Sequence, residues 1–399
     1  MATHLTGGMT GKALIHSASF CYFAAQWGTA LFGLRWKGDG IILDDHLNQY
    51  GLKQQYKQEA STYDGLFLAR VLAQHRNLYQ VMSEQGEFAA GVSGKLAFDA
   101  DSQTGYPVVG DWVMIDRPEG SFGPGVIHQV LQRKSLLTRQ AAGTTKARQA
   151  IAANMDIIFL CMSLNADFNL RRMERYLTIA WDSGATPVIL LMKADLCQDL
   201  PQRLKELSQV SMGVEVLVCS AEHQQGYQEV IRILQPGKTV VFVGSSGVGK
   251  STLINRLMGK EVLATREIRE DDGRGRHTTT HRQMLLLPCG AIVIDTPGMR
   301  ELKMDGGDLS RSFEDIEEIA SKCKYSDCAH GSEPGCAVQI AIEERTLSKE
   351  RFASYLKLQR EISYDGLNAR QLEGEKINRM FGGKTGMKQM RKQLMDKQR

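Results

Sequence analysis

The residues with the clearest chemical role form a glycine-rich loop past the middle of the chain. Gly244, Gly249, Lys250 and Ser251 fit the spacing G-x-x-x-x-G-K-S, after a short strand pattern at 239–242 and before a helical pattern. A strand, a glycine-rich turn and a helix in this order hold phosphate with main-chain N–H groups and the helix dipole. Lysine adds charge for the outer phosphates, and the serine hydroxyl suits Mg²⁺. The predicted nucleotide-binding residues of this loop are Gly244, Ser245, Ser246, Gly247, Val248, Gly249, Lys250, Ser251 and Thr252.

A second motif, Asp295-Thr296-Pro297-Gly298, follows the apolar residues 291–294. A carboxylate at the tip of a strand can reach Mg²⁺ through water, and a glycine N–H can contact a γ-phosphate. We therefore expect Asp295 and Gly298 to belong to the same nucleotide site.

The polar segment 271–281 lies between these two motifs and contains three consecutive threonines. A hydroxyl of Thr278, Thr279 or Thr280 can complete the magnesium shell and sense the γ-phosphate. The pattern does not choose among the three, and we assign Thr279 together with Ser251 as the protein ligands of Mg²⁺.

Two further loops have the chemistry to recognise guanine. Asp195 can accept hydrogen bonds from N1–H and the 2-amino group of guanine, whereas adenine offers neither donor and would leave a buried carboxylate unpaired. Lys193 can lay its stem over the base, and the 219–221 loop can offer a backbone N–H to the guanine carbonyl. The predicted base-binding residues are Met192, Lys193, Ala194, Asp195, Ser220 and Ala221.

The order of these motifs is unusual. Ordinary GTPases place the phosphate loop first and the base-reading loops last, but here residues 192–195 and 219–221 precede residues 244–251. A circular permutation explains this order and leaves the assembled site intact.

A cysteine–histidine cluster follows the nucleotide motifs. Cys323, Cys328, His330 and Cys336 are separated by four, one and five residues. Three thiolates and one imidazole suit tetrahedral Zn²⁺, and four protein ligands make the site structural instead of catalytic. The alternative is a turn of unliganded thiols.

Composition limits the classes of protein to which the chain can belong. A chain of 399 residues, 42% hydrophobic and with net charge +4, predicts two or three soluble domains, and any affinity for nucleic acid must come from local patches. The eight cysteines form no disulfide framework, which indicates a reducing, cytoplasmic location. Residues 13–34 lack Asp, Glu, Lys and Arg but contain too many polar side chains, His16 among them, for a membrane span. We expect a monomer.

The pattern of elements predicts a multidomain α/β protein. Five short strands suggest a small closed barrel, with the OB-fold as the leading candidate; they are expected at 67–72, 78–82, 87–96, 112–115 and 125–131. Its basic residues fit RNA binding, or simply solvated charge. Residues 47–61, polar and rich in glutamine, resemble a lead-in segment, and residues 138–150 resemble a linker. Alternating strands and helices from 156 onwards predict a mostly parallel sheet with helices on both faces.

The predicted organisation has five parts. Residues 308–320, 337–344 and 348–362 are predicted to be helical, and the chain then ends in a basic stretch. The expected domains are 1–60, an extension of unknown role; 61–137, an OB-fold RNA-binding barrel; 138–305, a circularly permuted P-loop GTPase domain; 306–365, a helical zinc-binding domain; and 366–399, a basic tail.

Together these motifs resemble the RsgA/YjeQ family of small-ribosomal-subunit-dependent GTPases over about residues 65–362. The resemblance also rests on the string Val109-Gly110-Asp111-Trp112-Val113 and on Ala153-Asn154-Met155-Asp156. It implies a late assembly factor that binds rRNA of the small subunit, uses Mg²⁺ and Zn²⁺, and hydrolyses GTP to GDP when docked.

Two positions modify this expectation. Met192 stands where the base-reading loop usually begins with Asn or Thr, so guanine selectivity depends more on Asp195. Met299 cannot orient water where some GTPases place glutamine, so free turnover should be slow, and we hypothesise that His277 positions the attacking water. The alternatives are a non-enzymatic RNA-binding scaffold and a P-loop kinase or ATPase with an RNA module.

Overall fold

The computed structural model describes residues 46–75, 78–100, 104–121, 123–140, 148–165, 167–220, 223, 225–263, 282–296, 309–331 and 333–363, and the backbone of 34–36 and 41–43. The chain divides into the units Met1–Asp45 and His46–Arg399. In the first unit, β1 (Leu34–Trp36) and β2 (Ile41–Leu43) pair antiparallel. All elements below belong to the second.

The glutamine-rich segment expected to be a simple lead-in forms two short helices, α1 (His46–Gln49) and α2 (Gln54–Ala60). Leu47 and Tyr56 are almost fully buried. The Tyr56 ring stacks on Trp112 with 5.4 Å between centroids. These apolar contacts make the segment part of the folded unit. The polar residues around Leu47 and Tyr56 gave no indication of this in the sequence.

The predicted five-stranded closed barrel is confirmed. The strands are β3 (Phe67–His75), β4 (Leu78–Ser83), β5 (Gly86–Val92), β6 (Trp112–Ile115) and β7 (Gly125–Val130). Each of them pairs with two others of the barrel, in the closed order β3–β4–β5–β7–β6–β3. The interior of the barrel is filled by small and branched side chains such as Val71, Val81 and Ile127.

Two expectations near the barrel are wrong. The third strand was expected to reach Leu96, but the chain leaves the sheet at Val92 and forms α3 (Gly94–Asp99). The helix begins here because the Ser93 hydroxyl accepts a hydrogen bond from Leu96 N and caps it. The expected linker at 138–150 instead supplies most of an antiparallel pair. That pair consists of β8 (Leu136–Gln140) and β9 (Arg148–Ala153).

A mostly parallel sheet follows, as predicted. The elements are β10 (Ile157–Ser163), α4 (Leu170–Asp182), β11 (Thr186–Met192), α5 (Leu200–Ser208), β12 (Glu215–Cys219), α6 (Tyr227–Ile233), β13 (Thr239–Gly244), α7 (Lys250–Met258), β14 (Arg282–Leu286) and β15 (Ile292–Asp295). The strand order is β12-β11-β10-β13-β15-β14, and among these strands only β14 runs antiparallel to its neighbours. Alternate residues of β10 belong to two apolar clusters, one with α4 and α5 and the other with α6 and α7. Helices therefore cover both faces.

The barrel and the parallel sheet are continuous, because β14 also pairs with β3. Buried polar groups reinforce this joint. The fully buried Arg70 guanidinium donates to Thr239 Oγ1 at 2.9 Å, and Asp156 accepts from Lys53, Lys134 and the Thr239 N–H at 2.6 to 2.9 Å. The base of the strand that leads into the phosphate loop is thus fixed to the barrel.

Three helices close the described chain, namely α8 (Glu314–Ala320), α9 (Ala337–Glu343) and α10 (Lys349–Ser363). They share an apolar core that includes Phe313, Val338 and Leu358. The first helix was expected from residue 308 but begins at Glu314, because residues 309–313 form turns that bury Phe313 completely. In the part of the chain that the structure describes, no helix is long and apolar enough to cross a bilayer.

Candidate nucleotide and metal sites

The phosphate loop lies between β13 and α7, in the predicted strand–loop–helix context. Gly247 and Gly249 have φ of 75° and 110°, the left-handed region that favours glycine. Gly244 is required for a different reason, since a Cβ there would lie 2.4 Å from the carbonyl oxygen of Cys161 on the neighbouring strand. Close packing and backbone handedness therefore explain the three glycines.

Lys250 begins α7 and folds back over the loop. Its Nζ donates to the carbonyl oxygens of Gly244 and Ser245 at 2.6 and 2.7 Å. Burial lowers the pKa of Lys250, and burial raises the pKa of Asp295 at the end of β15. Both groups are poised for a ligand that compensates their charge, a phosphate for the lysine and a cation for the carboxylate.

The base-reading loop follows β11. Lys193 adopts a left-handed conformation with φ of 60°, and the exposed Asp195 carboxylate accepts a hydrogen bond of 2.5 Å from Ser220 Oγ. This hydrogen bond holds the pKa of Asp195 below its usual value, so the carboxylate is ionised and orientated. The sequence pattern placed both residues near the base but did not predict this contact.

The backbone N–H predicted for the guanine carbonyl cannot come from Ser220, because that N–H donates to the Gln225 carbonyl oxygen at 2.9 Å. Ala221, the other residue predicted for this role, lies outside the described residues. His277, Thr279 and Gly298 also lie outside them.

Met192 connects the base-reading and phosphate loops. It is completely buried, and its Cε lies 3.2 Å from the position that a Cβ on Gly249 would occupy. An apolar side chain therefore supports the phosphate loop where a polar one was expected. Ser251 lies half-buried in the first turn of α7, and Thr296 buries a hydroxyl that has no partner in the described chain.

The four predicted metal ligands converge. The ligating atoms of Cys323, Cys328, His330 and Cys336 all lie within 4.8 Å of one another. Cys323 Sγ and Cys336 Sγ are 3.5 and 3.6 Å from His330 Nδ1 and 4.0 Å from each other. Tetrahedral zinc with Zn–S bonds of about 2.3 Å places sulfur atoms about 3.8 Å apart. The cluster has the size and donors to hold a metal ion.

Sequence reasoning missed one contact at the phosphate loop. Ser245 Oγ donates to Asp167 Oδ2 at 2.7 Å, and the same oxygen accepts from Arg172 Nη1 at 2.8 Å. Burial opposes ionisation, but these two hydrogen bonds hold the pKa of Asp167 below its usual value. An isolated aspartate in a polar loop carries no sequence signal for such a role.

Comparisons with known proteins agree with this geometry. The family model of the RsgA GTPase matches residues 130–305. A relative from Lactiplantibacillus plantarum, named small ribosomal subunit biogenesis GTPase RsgA 2, is 54% identical over 87% of this chain and 97% of its own length. A protein of Methanosarcina acetivorans, named small ribosomal subunit biogenesis GTPase RsgA, is 42% identical over 86% of this chain and 94% of its own length.

Solved structures show the same architecture. The crystal structure of YjeQ from Thermotoga maritima is 28% identical, covers 74% of this chain and 98% of its own, and has a TM-score of 0.56. That of YloQ, described as a circularly permuted GTPase, is 24% identical, covers 75% of this chain and 96% of its own, and has a TM-score of 0.53, which indicates a shared fold. The permuted motif order, the phosphate loop and these relatives agree. The chain therefore belongs to the RsgA family of circularly permuted GTPases and is a GTP hydrolase.

Proposed function

We propose that this GTPase is a late maturation factor of the small ribosomal subunit, which binds rRNA and hydrolyses GTP to GDP and phosphate when docked on the subunit. The observation that carries the proposal is that the phosphate loop with Lys250 and the base-reading loop with Asp195 both follow the carboxyl ends of strands in one parallel sheet. Their strands, β13 and β11, are separated only by β10, which places the strand ends about 10 Å apart. One GTP molecule spans this distance.

Guanine selectivity is assigned to Asp195. Its ionised carboxylate, held by Ser220, would pair with the two N–H donors of guanine, and Lys193 would cover the base. Competition between GTP and ATP for bound GDP tests this assignment. If ATP displaces GDP as well as GTP does, the assignment of guanine selectivity to Asp195 is wrong.

The cysteine–histidine cluster is assigned a structural Zn²⁺, supported by its donor set and by the close approach of its four ligating atoms. Mg²⁺ would accompany GTP at Ser251 and Thr279, with Asp295 acting through water. Magnesium would neutralise charge on the β- and γ-phosphates, while the loop N–H groups and Lys250 would hold the phosphates in place.

His277 is assigned the positioning of the attacking water once the docked subunit orders its segment. The absence of a water-orienting side chain at Met299 supports this assignment. His277→Ala should abolish the subunit-stimulated rate while GTP still binds. Unchanged stimulated turnover would remove His277 from the mechanism.

The proposed rRNA-binding surfaces are the barrel at 61–137, interpreted as an OB-fold, and the helical metal-binding domain at 306–365. In the chain they precede and follow the GTPase domain at 138–305. Residues 1–60 and the basic tail at 366–399 complete the proposed organisation. We place the protein in the cytoplasm as a monomer. If GTP turnover is not stimulated by small subunits although the protein binds them, the scaffold alternative is correct.

A further inference from the structure

The unexplained contact at the phosphate loop lies where β10 ends. Asp167 follows this strand, and its N–H donates to Asn165 Oδ1 at 3.0 Å. Asn169 then caps α4 by accepting a hydrogen bond from Arg172 N at 3.0 Å. Side-chain to main-chain hydrogen bonds therefore hold the backbone of Asp167 on one side and of Asn169 to Arg172 on the other.

The carboxylate of Asp167 contacts the phosphate loop by accepting a hydrogen bond of 2.7 Å from Ser245 Oγ. On the same residue, the carbonyl oxygen accepts a hydrogen bond of 2.7 Å from Lys250 Nζ. Ser245 is thus held from two directions. Arg172 pairs with Asp167 at 2.8 Å and compensates a negative charge that would otherwise repel phosphate.

Helix α4 is anchored at its other side to the C-terminal helices. Glu174 is fully buried and accepts hydrogen bonds from Arg351 at 3.0 Å and from Ser354 at 2.5 Å. Next to Arg351 on α10, Phe352 makes an edge contact with the ring of His330, with 6.2 Å between centroids. A chain of direct contacts therefore runs from the metal cluster through α10 and α4 to Ser245.

We propose that Asp167 is a positioning residue that fixes the phosphate loop through Ser245 and connects it, through α4, to the metal-binding helices. The proposal rests on the nucleotide-binding role of this loop. A fixed loop keeps its N–H groups aimed at the phosphates, so that nucleotide binding does not have to order them. Removing the contact should weaken nucleotide binding more than it lowers the rate of bond cleavage.

The experiment compares Asp167→Ala, Ser245→Ala and the double variant in the full-length, metal-loaded protein. The readouts are the Kd of a fluorescent GDP analogue, KM and kcat for GTP, and Tm. Each single variant should raise Kd and KM about tenfold, the cost of losing a hydrogen bond to a charged group, with a smaller change in kcat. The double variant should be no worse than either single one, because both remove the same contact.

Two further variants complete the design. Asp167→Asn keeps an acceptor oxygen for Ser245 and should recover most of the affinity. Glu215→Ala, the matched control, removes a carboxylate from an exposed ion pair with Arg232 and should leave Kd unchanged. Variants that lower Tm but keep the wild-type Kd and KM, or whose effects add in the double variant, would overturn the proposal.

Chelation of the metal provides the second arm. It should raise the Kd of wild-type protein for the GDP analogue and have a clearly smaller effect on Asp167→Ala. Equal effects on both would overturn the connection through α4.

Failure of the proposed function would appear differently, as wild-type turnover that small subunits do not stimulate, whatever the nucleotide affinities of the variants.

Discussion

The buried ion cluster between α4 and α10 gives the sharpest prediction about stability. The Arg351 guanidinium donates to both carboxylate oxygens of Asp315 at 2.6 Å, to Glu174 at 3.0 Å and to the Ser312 carbonyl at 3.0 Å. Its side chain is 8% exposed, and that of Glu174 is 0% exposed. Arg351→Met therefore keeps much of the apolar stem but leaves a fully buried carboxylate without the buried one of its two cations.

Breaking a buried pair in this way costs about 3–5 kcal/mol. We expect a value near the lower limit, about 3 kcal/mol, because Arg171 and Ser354 still donate to Glu174. Adding Glu174→Gln to Arg351→Met should recover part of the loss, since it removes the uncompensated charge. Arg232→Met, which breaks the exposed pair with Glu215, should cost less than about 1 kcal/mol.

Hydrogen exchange is the suitable assay because a multidomain chain does not unfold in one step. Amides of α8 and α10 should exchange about a hundredfold faster in Arg351→Met, while barrel amides should change little. If Arg351→Met has no larger effect than Arg232→Met, the cluster does not hold the C-terminal helices on α4.

Three further predictions concern other parts of the molecule. Burial opposes ionisation of Asp156, but Lys53, the Thr239 N–H and Lys134 lower its pKa from 3.8 to about 2. Its stabilising effect, about 1–2 kcal/mol after allowing for partly exposed lysines, should be complete above pH 4 and lost as pH falls through 2, so the Tm difference from Asp156→Asn should shrink there. Gly244→Ala should abolish GDP binding, measured by calorimetry, because its Cβ would overlap a neighbouring carbonyl, whereas Gly91→Ala meets nothing within 4 Å and should bind normally. Metal chelation should unfold the C-terminal helices and leave the barrel folded, which circular dichroism and limited proteolysis can distinguish.

The sequence predicted those features that depend on local patterns. The glycine spacing identified the phosphate loop, alternating apolar runs identified the parallel sheet, and the cysteine–histidine spacing identified the metal cluster. In each case the geometry follows from residue types close together in the chain, such as the left-handed backbone at Gly247 and Gly249. The circular permutation was visible because motif order is a property of sequence alone.

The features that were missed depend on contacts between distant residues. Tyr56 joins the core by stacking on Trp112 and by donating a hydrogen bond to Asn154, and the pairing of β8 with β9 outweighs the linker-like composition of 138–150. Arg70 is fully buried although arginine normally predicts a surface position, because Thr239 and main-chain carbonyls from other segments accept its hydrogen bonds. The Asp167–Ser245 contact joins residues 78 apart and is equally invisible in a single sequence.

Multiple-turnover GTP hydrolysis, measured with and without purified small ribosomal subunits, tests the central claim most directly. We expect slow turnover by the free protein and a rise of about a hundredfold on adding small subunits, since a correctly placed water-positioning group contributes at least this much. Large subunits should have no such effect. Equal turnover with and without small subunits would contradict a role as a subunit-stimulated GTPase.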